Sequence, residues 1–168
     1  MTSRIKRSRR EIGKTNQRIG KRGEQVANSV LHGLGIECLE KIATPALYVP
    51  YVDRGMGRIV PGVFRVVFEE KVAGDRHGLL PDGTGVLAEV KTIADRPLSY
   101  GDLEDHQHSG LLNWSKMGGL ALIVWVHHSV YVMRYPIEGF EKGKPIHPER
   151  AQGIHDYTVK YLSKRIYG

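Results

Sequence analysis

The sequence contains little cysteine and no long apolar run. Only Cys38 among its 168 residues is a cysteine, which excludes an internal disulfide and a cysteine-rich zinc cluster. The longest apolar run, 120–126, has seven residues, whereas a membrane-spanning helix needs about 18 or more. The basic N-terminus is not followed by the apolar segment of a signal peptide. We therefore expect a soluble, cytoplasmic protein without membrane contacts, and its length fits a single domain.

Acidic residues are scarce among the cations of the N-terminal segment. Residues 1–22 hold nine Lys and Arg against one acidic residue, Glu11, so the segment carries +8. The whole chain carries +7, which leaves residues 23–168 close to neutral. Each cation that neutralises a phosphate releases condensed counterions, so such a segment binds polyanions. It has too few apolar residues for a membrane-surface helix, and we favour nucleic-acid contact over a solubilising tail. Charge alone does not distinguish DNA, RNA and acidic protein.

This charge distribution predicts the domain organisation. We expect residues 1–18 to form a flexible basic arm and residues 19–168 to form one domain. We also expect cations to contact phosphates in the arm, in the adjoining helix and in segment 54–71: Arg7, Arg9, Arg10, Lys14, Arg18, Lys21, Arg22, Arg54, Arg58 and Lys71.

Apolar periodicity and turn residues predict the order of the helices and strands. Predicted helices cover 20–34, 101–117 and 157–166, and predicted strands cover 36–42, 86–93, 120–126 and 130–135. Segment 46–74 is interpreted as a strand pair or extended arm around a turn at 53–57. Glycine and aspartate predict turns at 75–78 and 81–83. The run at 120–126 is typical of a strand buried on both faces.

Three charged residues, Asp75, Glu89 and Lys91, form the pattern that points to chemistry. Glu89 and Lys91 are two residues apart on a predicted strand, so their side chains lie on the same face. Two carboxylates can hold a hard cation such as Mg²⁺, and a nearby lysine can orient the water that attacks a phosphodiester. A Glu-x-Lys pattern on a strand is more often an ordinary ion pair than part of an active site. The apolar neighbours favour the chemical interpretation, because a charge on a core strand needs a partner or a function.

These residues belong to a longer series of short motifs. The pattern Asp75…Glu89-Val90-Lys91 resembles the signature of the PD-(D/E)xK nucleases. The whole series resembles the RecU-type Holliday-junction resolvases and their phage relatives. The matching stretches are 20–24 (GKRGE), 41–45 (KIATP), 74–75 (GD), 89–92 (EVKT), 97–98 (PL), 106–107 (HQ) and 118–119 (GG). They cover roughly residues 20–135. One departure is Gly74, which stands where the signature has proline.

The resemblance implies a fold and a substrate. The fold would be α/β, with a restriction-endonuclease-like mixed central sheet flanked by helices and a projecting stalk at about 47–73. The protein would be a homodimer that binds branched DNA and cuts two strands symmetrically, with Mg²⁺ or Mn²⁺ as the cofactor. It would associate with the nucleoid in a bacterial or phage-infected cell.

The resemblance also implies roles for individual residues of a nuclease domain at 19–168. It assigns metal binding to Asp75, Glu89 and the carbonyl of Val90. It assigns catalytic or supporting roles to Lys91, Glu24 and Gln107. Three functions stay open at this stage: a junction resolvase, a related nuclease acting on flap, duplex or restriction-type DNA, and a DNA-binding module without activity.

Overall fold

The computed structural model describes residues 9–41, 46–53, 55, 57–68 and 74–167. Its helices are α1 (Arg9–Gly33), α2 (Asp105–Lys116) and α3 (Pro148–Tyr167), with a short 3-10 helix at Tyr100–Asp102. Its strands are β1 (Glu37–Lys41), β2 (Ala46–Asp53), β3 (Arg58–Phe68), β4 (Arg76–Leu79), β5 (Gly85–Thr92), β6 (Leu120–Val126) and β7 (Val130–Arg134). Within this part of the chain, none of the helices combines the length and the apolar character needed to cross a bilayer.

Five strands form one mixed sheet in the order β1-β4-β5-β6-β7. Strands β5 and β6 are parallel, and the other neighbours are antiparallel. Six of the seven residues of β6 are buried, as its uninterrupted apolar run predicts. The predicted strands at 36–42, 86–93, 120–126 and 130–135 are thereby confirmed, with small shifts at their ends.

Helices cover both faces of this sheet and form two apolar clusters. On one face, Ala27 and Leu31 of α1 and Leu162 of α3 pack against β5 and β6. On the other face, Leu111 of α2 packs against a cluster that includes Trp125. Side chains alternate along β5, so a residue's position in the strand decides whether it faces α1 or α2.

Strands β2 and β3 form a separate two-stranded sheet. They are antiparallel, with Ala46 opposite Phe68 and Asp53 opposite Arg58. This arrangement confirms the predicted strand pair; residues 54 and 56 of the predicted turn lie outside the described residues. The predicted DNA contacts Arg54 and Lys71 lie outside the described residues, as do the connecting segments 42–45 and 69–73.

The start of α1 corrects the helix boundary expected from the sequence. The chain is already helical at Arg9, eleven residues before the predicted start at residue 20. Residues 9–18 therefore form a helix, where the sequence predicted a flexible arm. The prediction relied on apolar periodicity, which begins only at Val26, whereas Arg, Lys, Gln and Glu favour helix without any apolar stripe. Arg7 lies outside the described residues.

Three other boundaries differ from the prediction. A turn was predicted at 75–78, but residues 76–79 form β4, because their backbone pairs with β1 on one side and β5 on the other. The helix predicted at 101–117 is interrupted, and α2 begins at Asp105. Asp102 does not begin it, because its carboxylate binds Arg96 and Ser99. Helix α3 begins at Pro148, nine residues early, and proline is common at the first position of a helix.

Candidate active site

Glu89 and Lys91 lie side by side on the face of β5 that α2 covers. The Lys91 Nζ atom is 2.8 Å from Glu89 Oε1, as the two-residue spacing predicts. Glu89 is 1% exposed, so its carboxylate is almost completely shielded from solvent. A charge at this depth requires nearby groups that stabilise it.

Gln107 of α2 joins these two residues through its amide. Its Nε2 donates to Glu89 Oε1 at 2.5 Å, and its Oε1 accepts from Lys91 Nζ at 3.0 Å. The same oxygen accepts from the backbone N–H of Glu104, which caps the start of α2. The amide is therefore held in one orientation, and the first turn of α2 fixes the side chains of β5.

Asp75 immediately precedes β4, and its side chain lies at the site. Its backbone N–H donates to the Ala88 carbonyl, and its Oδ2 accepts from the Val90 N–H, both at 2.8 Å. Gly74 has a φ of +80°, which lies outside the range open to proline. A Cβ on Gly74 would lie 2.6 Å from Leu87 Cδ1. The local backbone thus accounts for glycine at a position where the nuclease signature has proline.

The carboxyl group of Glu89 differs from an ordinary surface glutamate. Burial, reinforced by the negative charge of Asp75, raises the pKa of Glu89 to about 7 despite the neighbouring Lys91 ammonium. Its Oε2 atom is buried and has no hydrogen-bond partner among the described residues. The group therefore has both an unpartnered oxygen and a nearby second carboxylate.

This donor set fits a divalent cation. Carboxylate and carbonyl oxygens are the ligands that Mg²⁺ and Mn²⁺ prefer, and a cation would satisfy the buried Oε2 of Glu89. It would also relieve the repulsion between Asp75 and Glu89. Among the described residues, no three His, Cys, Asp or Glu side chains are grouped to hold a metal. The candidate ligands are accordingly two carboxylates and a backbone carbonyl.

Glu24 of α1 lies at the same site but is bound by cations. Its Oε2 is 2.9 Å from Arg76 on β4 and 2.9 Å from Lys41 at the end of β1. Arg76 is buried, and it also donates to Asn28 and to the Asp75 carbonyl. The sequence did not lead us to predict Arg76 as a site residue, although its position directly after Asp75 could have indicated it.

A close contact between α1 and β5 sets the position of Glu24. A Cβ on Gly23 would lie 1.9 Å from Thr92 Oγ1, so only glycine fits where the helix crosses the strand. Thr92 faces α1, the opposite side of β5 from Lys91. The GKRGE stretch therefore brings Glu24 to the site through a helix–sheet contact.

An open cleft of about 800 Å³ lies where the predicted site residues come together. It is lined by all six of them: Glu24, Asp75, Glu89, Val90, Lys91 and Gln107. The predicted phosphate contacts Lys14, Arg18, Lys21, Arg22 and Arg58 are exposed and do not line the cleft. Arg9 and Arg10 belong to α1.

Comparison with known proteins identifies the fold of the domain that carries this site. No protein-family model and no curated protein sequence matches the chain. Among solved structures, the chain is similar to Hjc, a Holliday junction resolvase from the archaeal hyperthermophile Archaeoglobus fulgidus, with a TM-score of 0.50 and 15% sequence identity. The match covers 85% of this chain and 99% of Hjc. At this identity the likeness shows the fold, and the expected restriction-endonuclease-like α/β architecture is confirmed: a mixed five-stranded sheet flanked by helices.

Proposed function

We propose that this protein is a metal-dependent, structure-specific endonuclease of the RecU resolvase kind. It would act as a homodimer and resolve four-way DNA junctions by hydrolysing two phosphodiester bonds. The observation that carries the proposal is the convergence of Asp75, Glu89 and Lys91 in one cleft, with Gln107 bonded to the last two. The fold similarity to an archaeal Holliday junction resolvase supports it.

The metal would be Mg²⁺ or Mn²⁺, held by Asp75, Glu89 and the Val90 carbonyl. When bound, such an ion acts as a Lewis acid on a phosphate and lowers the pKa of a water. The chain's own contribution is to place two carboxylates in one cleft and to keep one oxygen of Glu89 without a hydrogen-bond partner in the described part of the chain. Glu24, bound by Arg76 and Lys41, forms part of the cleft wall on the α1 side.

Lys91 would act on the reacting groups themselves. Its ammonium bonds to Glu89 and Gln107, which uses two of its three N–H groups within the described residues. The third can donate to the attacking water or to a phosphate oxygen, where it would stabilise the negative charge that develops during hydrolysis. Gln107 positions both of its partners.

Exposed cations outside the cleft would bind the DNA backbone. Lys14, Arg18, Lys21 and Arg22 on α1 and Arg58 on β3 are exposed. We propose phosphate contacts for these and for Arg7, Arg9, Arg10, Arg54 and Lys71. Because such contacts release counterions, the affinity would fall steeply with salt.

A substrate comparison tests the proposal. Four-way junction, flap and duplex DNA, labelled on each strand, are incubated with the protein and increasing Mg²⁺. We expect paired, symmetrical nicks in the junction and slower cutting of the other two substrates. Equal rates on all three would replace the resolvase assignment with a general nuclease. Shifted bands without nicks at any metal concentration would leave only a DNA-binding module.

A further inference from the structure

Helix α1 extends beyond the body of the protein. Its second half packs on the sheet, where Ala27 and Leu31 are fully buried. Every described side chain from Glu11 to Ile19 is exposed. The exposed part belongs to one continuous helix of 25 residues, so its direction is set by the packed part.

This extension starts at the cleft. Gly23 contacts Thr92 at the end of β5, whereas Asn28, further along the helix, binds Arg76, which lies opposite Ala88 nearer the beginning of β5. The helix therefore runs antiparallel to β5, and its N-terminal half continues past the strand end where Lys91 lies. Gly20 and Ile19 line the cleft just before the extension begins.

One side of the helix connects the site with a row of cations. Positions spaced by three and four residues lie on one side of a helix. Glu24 and Asn28, which bind Arg76, occupy this side, and its next positions outward are Lys21, Gln17, Lys14 and Arg10. We call the three cations of this set, Lys21, Lys14 and Arg10, the cationic row; the neutral Gln17 lies between them. It spans about 16 Å at 1.5 Å per residue, and the flanking Arg18 and Arg22 are also exposed.

We propose that the cationic row binds the phosphate backbone of duplex DNA next to the cleavage site, and that it does so as a rigid helix. This inference rests on the proposed nuclease function. The ligand is double-stranded DNA, because a straight row of this length beside the cleft matches the backbone of about five base pairs. A duplex leaving the cleft on the α1 side would meet the row along its whole length.

The chain allows the helix and the charge to be changed separately. Gln17→Pro keeps every charge, but proline removes a backbone donor and clashes with the preceding turn. The segment that carries Lys14 and Arg10 would then no longer be held by the helix. Gln17→Ala is the matched control, because it retains the helix and has the same net charge.

The experiment measures binding to duplex DNA without metal, over a series of salt concentrations. We expect Lys14→Gln/Lys21→Gln to weaken binding about tenfold and to reduce the slope of log K against log salt by about 1.8. The matched control Lys160→Gln/Lys164→Gln, on the exposed surface of α3, should change little. Gln17→Pro should bind more weakly than Gln17→Ala by about threefold or more. Thermal melting of each variant confirms that the body remains folded.

Two results would overturn the inference. If Gln17→Pro binds as well as Gln17→Ala, the cations act as a flexible tether and the helix has no role. If the α1 pair loses no more affinity than the α3 pair, the row does not bind duplex DNA, and an acidic protein becomes the alternative ligand. Binding is read without cleavage, so a protein that meets both expectations but never cuts DNA would refute the nuclease and leave only the binding of duplex DNA by the helix standing.

Discussion

The guanidinium of Arg76 lies 2.9 Å from the carboxylate of Glu24, and this ion pair links β4 to α1 directly beside Asp75. Arg76 is 6% exposed, whereas the second cation at Glu24, Lys41, is exposed. Burial disfavours ionisation of Glu24, but Lys41 and Arg76 together hold the pKa of its carboxyl below the ordinary value. The two cations therefore differ in how far they depend on the carboxylate of Glu24.

Glu24→Gln should lower the free energy of unfolding by about 3 kcal/mol, because it leaves the buried Arg76 guanidinium without its counter-charge. Lys41→Ala removes only the exposed partner of the same carboxylate and should cost less than about 1 kcal/mol. Urea unfolding of both variants at pH 7 measures the difference. Equal losses would mean that burial of Arg76 does not govern the energetics of this cluster.

Gly23→Ala should destabilise the protein and reduce cleavage. The added Cβ would overlap Thr92, so α1 must move away from β5 and carry Glu24 with it. Overpacking of this kind costs about 1–3 kcal/mol. Gly20→Ala, three residues earlier, has open space around its new Cβ and should be neutral or stabilising by up to about 1 kcal/mol.

Unfolding curves of these two variants and of Gly23→Ala/Thr92→Ala test the close contact. The double variant removes the Oγ1 atom nearest to the new methyl group, so it should recover part of the lost stability. If Gly23→Ala were as stable as Gly20→Ala, the helix would not rest on Thr92.

Much of the sheet and the centre of the site could be predicted from the sequence. The uninterrupted apolar run of β6 predicts a strand that is buried on both faces. In β5, the alternation of side chains places Glu89 and Lys91 on one face. Both are local properties, since a strand with a period of two residues fixes its own faces. A role for Gln107 at the site was expected only from the family resemblance, and its contacts with both residues were not predicted.

The remainder depends on contacts that local patterns do not encode. Arg76 meets Glu24 across a separation of 52 residues, so no spacing rule connects them. The segment at 76–79 has turn-like residues, yet it is a strand because two neighbours supply its backbone bonds. The first ten residues of α1 lack an apolar stripe, so periodicity could not find them.

Lys91→Ala should abolish cleavage, with a loss of at least about 10²–10³-fold, while junction binding stays nearly intact. In the proposed mechanism the ammonium would stabilise developing charge, whereas the cations that would bind DNA lie outside the cleft. Gln107→Ala should give a smaller loss, because it releases Lys91 and Glu89 from their fixed positions but removes neither. Gln152→Ala on α3 is the matched control. Single-turnover cleavage and a gel-shift titration measure the two effects, and undiminished cutting by Lys91→Ala would refute the catalytic assignment.

The raised pKa of Glu89 predicts how pH and metal affect stability. In the metal-free protein this group holds its proton more tightly when folded than when unfolded. Its contribution to stability is therefore complete below pH 4.5 and is lost as the pH rises to about 7, by about 3 kcal/mol in total. Glu89→Gln cannot ionise, so it should lack this decline and exceed the wild type in stability at pH 8.

Urea unfolding at pH 5 and pH 8, in the presence of a chelator, measures the change in stability for the wild type, for Glu89→Gln and for the exposed control Glu138→Gln. Only Glu89→Gln should differ from the wild type in its pH dependence. Addition of Mg²⁺ at pH 8 should then stabilise the wild type and Glu138→Gln but not Glu89→Gln, since a cation that binds the ionised carboxylate favours the folded state. Parallel pH dependence in all three proteins would show that Glu89 is not the group that titrates, and stabilisation of Glu89→Gln by Mg²⁺ would place the cation elsewhere.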